Sequence, residues 1–327
     1  VRIAVTGSIA TDHLMVFPGR FAEQLIEGQL ERVSLSFLAD QLKVHRGGVA
    51  ANITFGLGLL GLNPLLVGAA GMDFAEYGTW LKANGVDTSA VRVSETLHTA
   101  RFVCTTDQDQ NQIATFYAGA MAEASRIDLA ETAARSGPLA LVLIGADDPD
   151  AMQRHTAAAH RQGIPVAADP SQQLARIDRE QARRLVDGAT WLFTNEYESA
   201  LLRERTGWSE DDLLARVGTW ITTLGAGGVS LARAGEPRLL VPAVPAEKIA
   251  DPTGAGDAFR AGFLAGVLWQ RSPAQAARLG CALATTVLES VGTQEYKLLA
   301  TDLIARIGRT YGNDAARALE PRLAGAR

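Results

Sequence analysis

Residues Asp251 to Phe259 read DPTGAGDAF, two glycines bracketing an alanine with an acid, Asp257, directly after them. Pro252 favours an extended approach and AFRAGFLAGVL beyond it is helical in character, so Thr253 to Asp257 is expected to form the first turn of a helix. The free N–H groups of Gly254, Ala255, Gly256 and Asp257, at the positive end of that helix, would make an anion hole. A Walker-type phosphate loop, G-x-x-x-x-G-K-[ST], is absent from the chain. A carboxylate in this place cannot serve as the anion's counter-ion, but it can accept the proton of an attacking hydroxyl. An acid that only stabilises its own helix dipole is the plainer reading, and it leaves the glycine pair unexplained.

Four other stretches carry polar groups near glycine turns. GSIATD follows the first apolar run and sets Ser8 and Asp12 at or just past a strand's carboxyl end, the edge where open α/β sheets bind ligands; Asp12 could equally be a turn or cap residue. HRGGVAAN enters a helix through paired glycines, with Asn52 one turn in from Gly48, so that an amide and free N–H groups could face a ligand, or the small residues could serve packing alone. TNEYE places Asn195 and Glu198 on one helical face, suited either to Mg²⁺ held through water or to capping the helix. TLGAGG, the run Thr223, Leu224, Gly225, Ala226, Gly227 and Gly228, could lie against a nucleotide or be a tight connection into the hairpin that follows.

The elements that must position these groups alternate. RIAVTG, PLLVGAAG, LALVLIGA, IPVAAD, ATWLFTN and TWITTLG read as apolar strands with amphipathic helices between them, the pattern of a doubly wound, mostly parallel α/β sheet. Two regions break the alternation, about 13–46 and 97–118, where ERVSLSFLAD, TARFVCTTD and QIATFYAG read as half-polar strands of a small separate sheet that could cover a cleft. Ala-rich helices close the chain, their small residues allowing close packing. One domain of 327 residues with an inserted lid accounts for the whole.

Composition is that of a globular enzyme, 47% hydrophobic and 20% charged, and a net charge of −5 offers no general attraction to nucleic acid or anionic lipid. Cys104 and Cys281 are far apart and suggest neither a zinc site nor a disulfide framework. No apolar run is long enough to span a bilayer, the amino terminus lacks the character of a secretory leader, and the expected compartment is the cytoplasm.

DPTGAGDAF and HRGGVAAN resemble the two glycine signatures of the ribokinase-like, or PfkB, carbohydrate kinase family, and N-x-x-E at Asn195–Glu198 and T-x-G-x-x-G at Thr223–Gly228 match two further family motifs in the family's order. The resemblance implies ATP-dependent phosphorylation of a primary alcohol, with a β-sheet lid over the cleft. Within the family, GSIATDHLM, VSLSFLAD, TARFVCTTD, FYAGAM, ADPSQQLAR and LFTNEYE look most like bacterial adenosine kinases. Carried onto these positions, the likeness implies Asp12 and Asn52 on the ribose hydroxyls, Ser8, Ser36 and Gly48 near the nucleoside, Phe102 and Phe116 on either side of the purine, and Gln172 and Gln173 as polar contacts. It gives Asp257 the role of base, Gly254–Gly256 the anion hole, Asn195 and Thr223–Gly228 the ATP side, and Glu198 a water-mediated hold on Mg²⁺. Asp251, Thr253 and Gly292 fall where relatives hold K⁺. The exposed edges of the lid suggest a homodimer formed lid to lid. A kinase of ribose, fructose or another nucleoside, and a nucleoside sensor without turnover, are the competing readings.

Overall fold

The computed structural model describes residues 2–24 and 36–325. In chain order its strands are β1 Arg2–Thr6, β2 Ala10–Val16, β3 Gln41–Gly47, β4 Leu65–Ala70, β5 Asp87–Val93, β6 Ala100–Thr106, β7 Gln112–Tyr117, β8 Leu139–Ile144, β9 Val166–Ala168, β10 Trp191–Asn195, β11 Thr219–Thr223, β12 Val229–Ala232 and β13 Leu239–Val241. Nine form one sheet in the order β13-β12-β11-β10-β9-β8-β1-β4-β5, parallel from β11 to β5 with an antiparallel hairpin, β12–β13, on one edge. The edge strand at the other end, DTSAVRV, lacks a continuous apolar run and is not legible as a strand in the sequence.

Burial on both faces follows from period-two alternation. In β1, Ile3 and Val5 enter one core and Ala4 the other; in β8, Leu141 and Leu143 divide from Val142 and Ile144 in the same way. The first core is closed by the helices Val49–Leu59, Ala255–Leu268 and Pro273–Leu288, and the second by Pro149–Arg161 and Arg179–Val186. This is the doubly wound, ribokinase-like α/β architecture expected from the sequence.

The remaining four strands form a second sheet, β3-β2-β6-β7, as the half-polar segments suggested. Its boundaries differ from the sequence reading in two places. Asp12 is neither turn nor cap: it sits inside β2. Of ERVSLSFLAD, residues 31–35 lie outside the described residues, and Ser36–Ala39 have no regular structure; the strand begins at Gln41. Phe37 explains the irregular path, because its ring packs against Phe17 and Phe21 at 5.0 and 4.9 Å and ties the chain to the far end of the lid.

Two helices from opposite ends of the chain meet at small residues. A Cβ on Gly56 would lie 2.8 Å from the Cβ of Ala261 and 3.1 Å from the Tyr296 hydroxyl, so the helices Val49–Leu59 and Ala255–Leu268 approach as closely as they do only because residue 56 has no side chain. Gly56→Val should destabilise the protein by about 1–3 kcal/mol through overpacking, read as a lower urea midpoint with unchanged slope; an unchanged midpoint would show that the helices have room to spare.

Candidate active site

The carboxyl ends of β11, β10, β9, β8 and β1 line one rim of the large sheet. Strand order reverses around β1, which is flanked by β8 and β4, and the crevice at such a switch point is where open α/β sheets bind ligands. Ser8 donates its N–H to the Ala146 carbonyl there at 2.9 Å, and a cavity of about 320 Å³ opens beside them. A larger cavity of about 540 Å³, bounded by Asp128, His155 and Arg184, contains none of the candidate residues.

The smaller cavity gathers Ser8, Asp12, Gly48, Asn52, Phe102, Phe116, Gln172, Gln173, Gly254 and Asp257. At its floor, Gly254 takes a left-handed conformation (φ 79°) and Ala255–Leu268 begins as the expected helix. Ala255 makes a long turn bond to the Pro252 carbonyl (3.4 Å), while the N–H groups of Gly254, Gly256 and Asp257 have no acceptor among the described residues. Three of the four N–H groups expected to face an anion are therefore free, and the fourth is taken up by the turn.

Asp257 stands on the first turn of this helix. Its Oδ2 accepts from Asn52 Nδ2 at 2.8 Å, and Asn52 Oδ1 in turn accepts from Thr293 Oγ1 and Gln294 Nε2, each at 2.9 Å. The Asn52 oxygen is thus occupied, which leaves one amide N–H for a ligand. Burial pushes the Asp257 carboxyl up to about 6; the Asn52 bond and the Arg260 guanidinium draw it down, and Asp169 and Glu198 push it up further.

The diglycine turn differs from expectation. Ser8 covers the helix start, its Oγ accepting from Val49 N–H (3.0 Å) and its carbonyl from Ala50 N–H (3.2 Å), so these donors are not free for a ligand. Gly48 is required by this closeness: at φ 97° a Cβ would lie 2.5 Å from the Ser8 carbonyl oxygen.

The lid contributes one row of side chains. His45 pairs in register with Asp12, Asp12 with Phe102 and Phe102 with Phe116, so all four project from the same face across four adjacent strands. The two phenylalanines are therefore neighbours on one wall, and both line the cavity. Phe116 is 49% exposed. Asp12 is also held above the usual carboxylate range, to about 6, chiefly by burial, with His45 opposing and Asp251 and Glu295 adding to the rise. Ser36 is not brought to the cavity; it is exposed beside Phe37 at the opposite end of the lid.

On the other side of the floor, Asn195 and Glu198 form a reciprocal capping box: Asn195 Oδ1 accepts from Glu198 N–H at 2.7 Å and Glu198 Oε2 from Asn195 N–H at 2.8 Å. Glu198 Oε1 is left with only a 3.5 Å contact to Ser171 Oγ. Thr223 pairs with Asn195 across β11 and β10, and Leu224–Gly228 follow as a tight turn with Gly225, Ala226 and Gly227 exposed on the same rim, outside the cavity.

Arg176, Met121, Ala146 and Thr293 also line the cavity and were not singled out in the sequence. Nor were Asp169 and Arg260, which form a buried ion pair beneath it. Asp169 directly follows an apolar strand and Arg260 lies three residues after Asp257, so the strand-end rule and helical spacing could have found both.

With this geometry in place, the relationship to known proteins is clear. The pattern of the pfkB family of carbohydrate kinases matches residues 6–299, and the chain belongs to that family. A nucleoside kinase of Methanocaldococcus jannaschii is 30% identical over 252 residues, 76% of this chain and 81% of its own length. The structure of Burkholderia thailandensis nucleoside kinase in complex with inosine superposes with a TM-score of 0.82 and 34% identity, covering 95% of this chain and 98% of that one. The same kinase in complex with ADP-inosine gives 0.79 at 34% identity, covering 95% and 96%.

A raised folded-state pKa makes protonated Asp257 the form that favours folding. That contribution is present below the ordinary value of 3.8 and is lost as pH rises through about 6. Asp257→Asn should therefore melt at a higher temperature than the wild type at neutral pH, with the gap closing toward pH ~4; equal melting at neutral pH would show that the carboxylate carries no burial penalty.

Proposed function

We propose that the chain is a nucleoside kinase whose acceptor is adenosine, transferring the γ-phosphoryl group of ATP to the 5′-hydroxyl to give AMP and ADP. The observation that carries this reading is the cavity lined both by Gly254 and Asp257, two residues with free backbone donors, and by the Asp12–Phe102–Phe116 row. The row matches a nucleoside from end to end: a carboxylate for the ribose hydroxyls, then a continuous aromatic wall for the base. A simple sugar has no counterpart for the two rings.

In the proposed reaction the 5′-oxygen bonds to the γ-phosphorus as the bond from that phosphorus to the bridging oxygen breaks, and ADP departs with the electron pair. The hydroxyl proton passes to Asp257, and the N–H groups of Gly254, Gly256 and Asp257 receive the charge on the transferring group. Among the described residues no three acidic, histidine or cysteine side chains are placed so that they could hold a metal ion; Mg²⁺, which keeps its waters and takes few protein ligands, fits the remaining oxygen of Glu198. When bound it would neutralise charge on the phosphates. Asn195 and Thr223 are paired at the ends of β10 and β11, which supports the shared ATP side that the resemblance implies for them. Asp251 accepts from the N–H groups of Thr253 and Gly292 at 2.9 and 3.1 Å, which keeps together the three residues that the resemblance sets at K⁺.

A second acceptor class has its own support. Arg176 offers only donors to the cavity, and Gln173, 4% exposed, has an Oε1 without a partner. Donors favour the O6 and N7 of a 6-oxopurine, whereas an amide can turn to read either a 6-amino or a 6-oxo edge. Inosine, held by the Burkholderia enzyme, is then the competing substrate.

On the lid's outer face the register sets Leu42, Val44, Ile113 and Tyr117, all exposed, which supports pairing of two lids in a homodimer. No helix of the described residues is long and apolar enough to cross a membrane; consumption of ATP accords with the cytoplasm as the compartment.

An ADP-release assay across adenosine, inosine, cytidine, ribose and fructose should give the highest kcat/KM with adenosine, and a preference for a free sugar would end this reading. Asp257→Asn should lose roughly 10²–10⁴ in kcat with ATP binding kept; near-normal turnover would remove its role as base. Phe102→Ala should weaken adenosine binding by about 1–3 kcal/mol without a matching loss for ATP, measured by calorimetry. An equal loss on both would mean that the ring only packs the lid.

A further inference from the structure

Arg260 lies one turn beyond Asp257 on the same helix and points into the protein, its side chain 7% exposed and that of its partner Asp169 1%. Nε and Nη2 donate to the two oxygens of Asp169 at 2.5 and 2.8 Å, Nη1 donates to the Gly256 carbonyl at 3.1 Å, and the guanidinium sits over the ring of Phe193 at 5.5 Å. A buried ion pair contributes little net stability compared with well-packed apolar residues of the same volume, so its presence asks for another reason. Its attachments supply one. Asp169 directly follows β9 and opens the segment that carries Gln172 and Gln173, whereas Gly256 belongs to the turn that presents the free N–H donors.

The charges around Asp257 sharpen the point. Asn52 faces it from the helix Val49–Leu59, Tyr296 from the segment after Pro273–Leu288, Asp169 from the end of β9, Glu198 from the helix Glu196–Thr206, and Arg260 from its own helix. Arg260 is the one cation in that set, beside the two carboxylates Asp169 and Glu198 and Asp257 itself.

We infer that Arg260 is a positioning residue for phosphoryl transfer: clamped to Asp169, it fixes the Gly254–Asp257 turn against the floor of the acceptor pocket and sets the field in which Asp257 works. The inference rests on the proposed role of Asp257 as base. Arg260 lowers the affinity of that carboxylate for a proton and Asp169 raises it. Neutralising the two partners therefore drives the acid limb of the reaction in opposite directions, an outcome that packing alone does not produce.

The test is kcat/KM against pH for the wild type, Asp257→Asn, Arg260→Met, Arg260→Lys and Asp169→Asn, with folding followed by thermal melting. The titration of MgATP is common to all, so differences belong to the protein. In the wild type, activity should rise through about pH 6 as Asp257 ionises. Arg260→Met should move that limb up by about one pH unit and Asp169→Asn move it down by about one. Arg260→Lys should keep the limb in place and lose about tenfold in kcat, because the ammonium keeps the charge without the two-pronged clamp. Limbs unmoved in both neutralising variants, with kcat merely reduced, would overturn the inference. If Arg260→Met does not fold, Asp169→Asn decides alone: a downward shift supports the inference and an unmoved limb refutes it. A wild type without kinase activity, or an Asp257→Asn variant with undiminished turnover, would instead refute the proposed reaction.

Discussion

The hydrogen bond from Asn52 to Asp257 joins residues 205 positions apart, and the candidate site depends on it. It forms because a glycine in one helix meets an alanine in the other, so that two backbones come close enough for a short amide to reach a short carboxylate. Around it lies a buried network: Thr293 and Gln294 hold the Asn52 oxygen, the Tyr77 hydroxyl bonds to both Gln294 and the Gly47 carbonyl, and Gly47 ends a lid strand. Linked in this way, the floor of the cavity, the diglycine turn and the base of the lid share one rigid connection.

That rigidity fits the electrostatics. Asp257 is surrounded by groups that make its ionised form costly, yet one hydrogen bond and one guanidinium hold it near neutrality, the range in which a general base works best. The backbone donors beside it carry only partial positive charge and do not titrate in this range. In the proposed reaction they would together receive an anion and a proton at neighbouring points, which neither a lysine-bearing phosphate loop nor an isolated acid would do.

The lid works by register. Because paired residues on adjacent strands project from the same face, a carboxylate and two aromatic rings stand in a line whose spacing is set by strand separation and not by loop conformation. A slip of one residue in β6 would send Phe102 to the outer face and leave Asp12 without its neighbour. The same alternation turns Leu42, Val44 and Ile113 outward, away from the face that carries Asp12 and the two rings.

The sequence alone determined the α/β class, the identity of the strands at the rim and the local chemistry of DPTGAGDAF, because those follow from periodicity and from short-range spacing along the chain. It also marked Asn195 and Glu198 as a pair, since helical spacing puts them on one face. What it could not decide were properties that depend on distant partners. Asp12 proved to be a mid-strand residue because β2 finds β3 and β6 to pair with, and Ser36 stayed outside the cavity because Phe37 is drawn to Phe17 and Phe21. Ser8 closes the diglycine helix that composition left open. The Arg260–Asp169 pair, 91 residues apart in sequence, exists only in the folded chain, since only the meeting of a strand end with a helix start excludes water from both charges and leaves each the other as its partner.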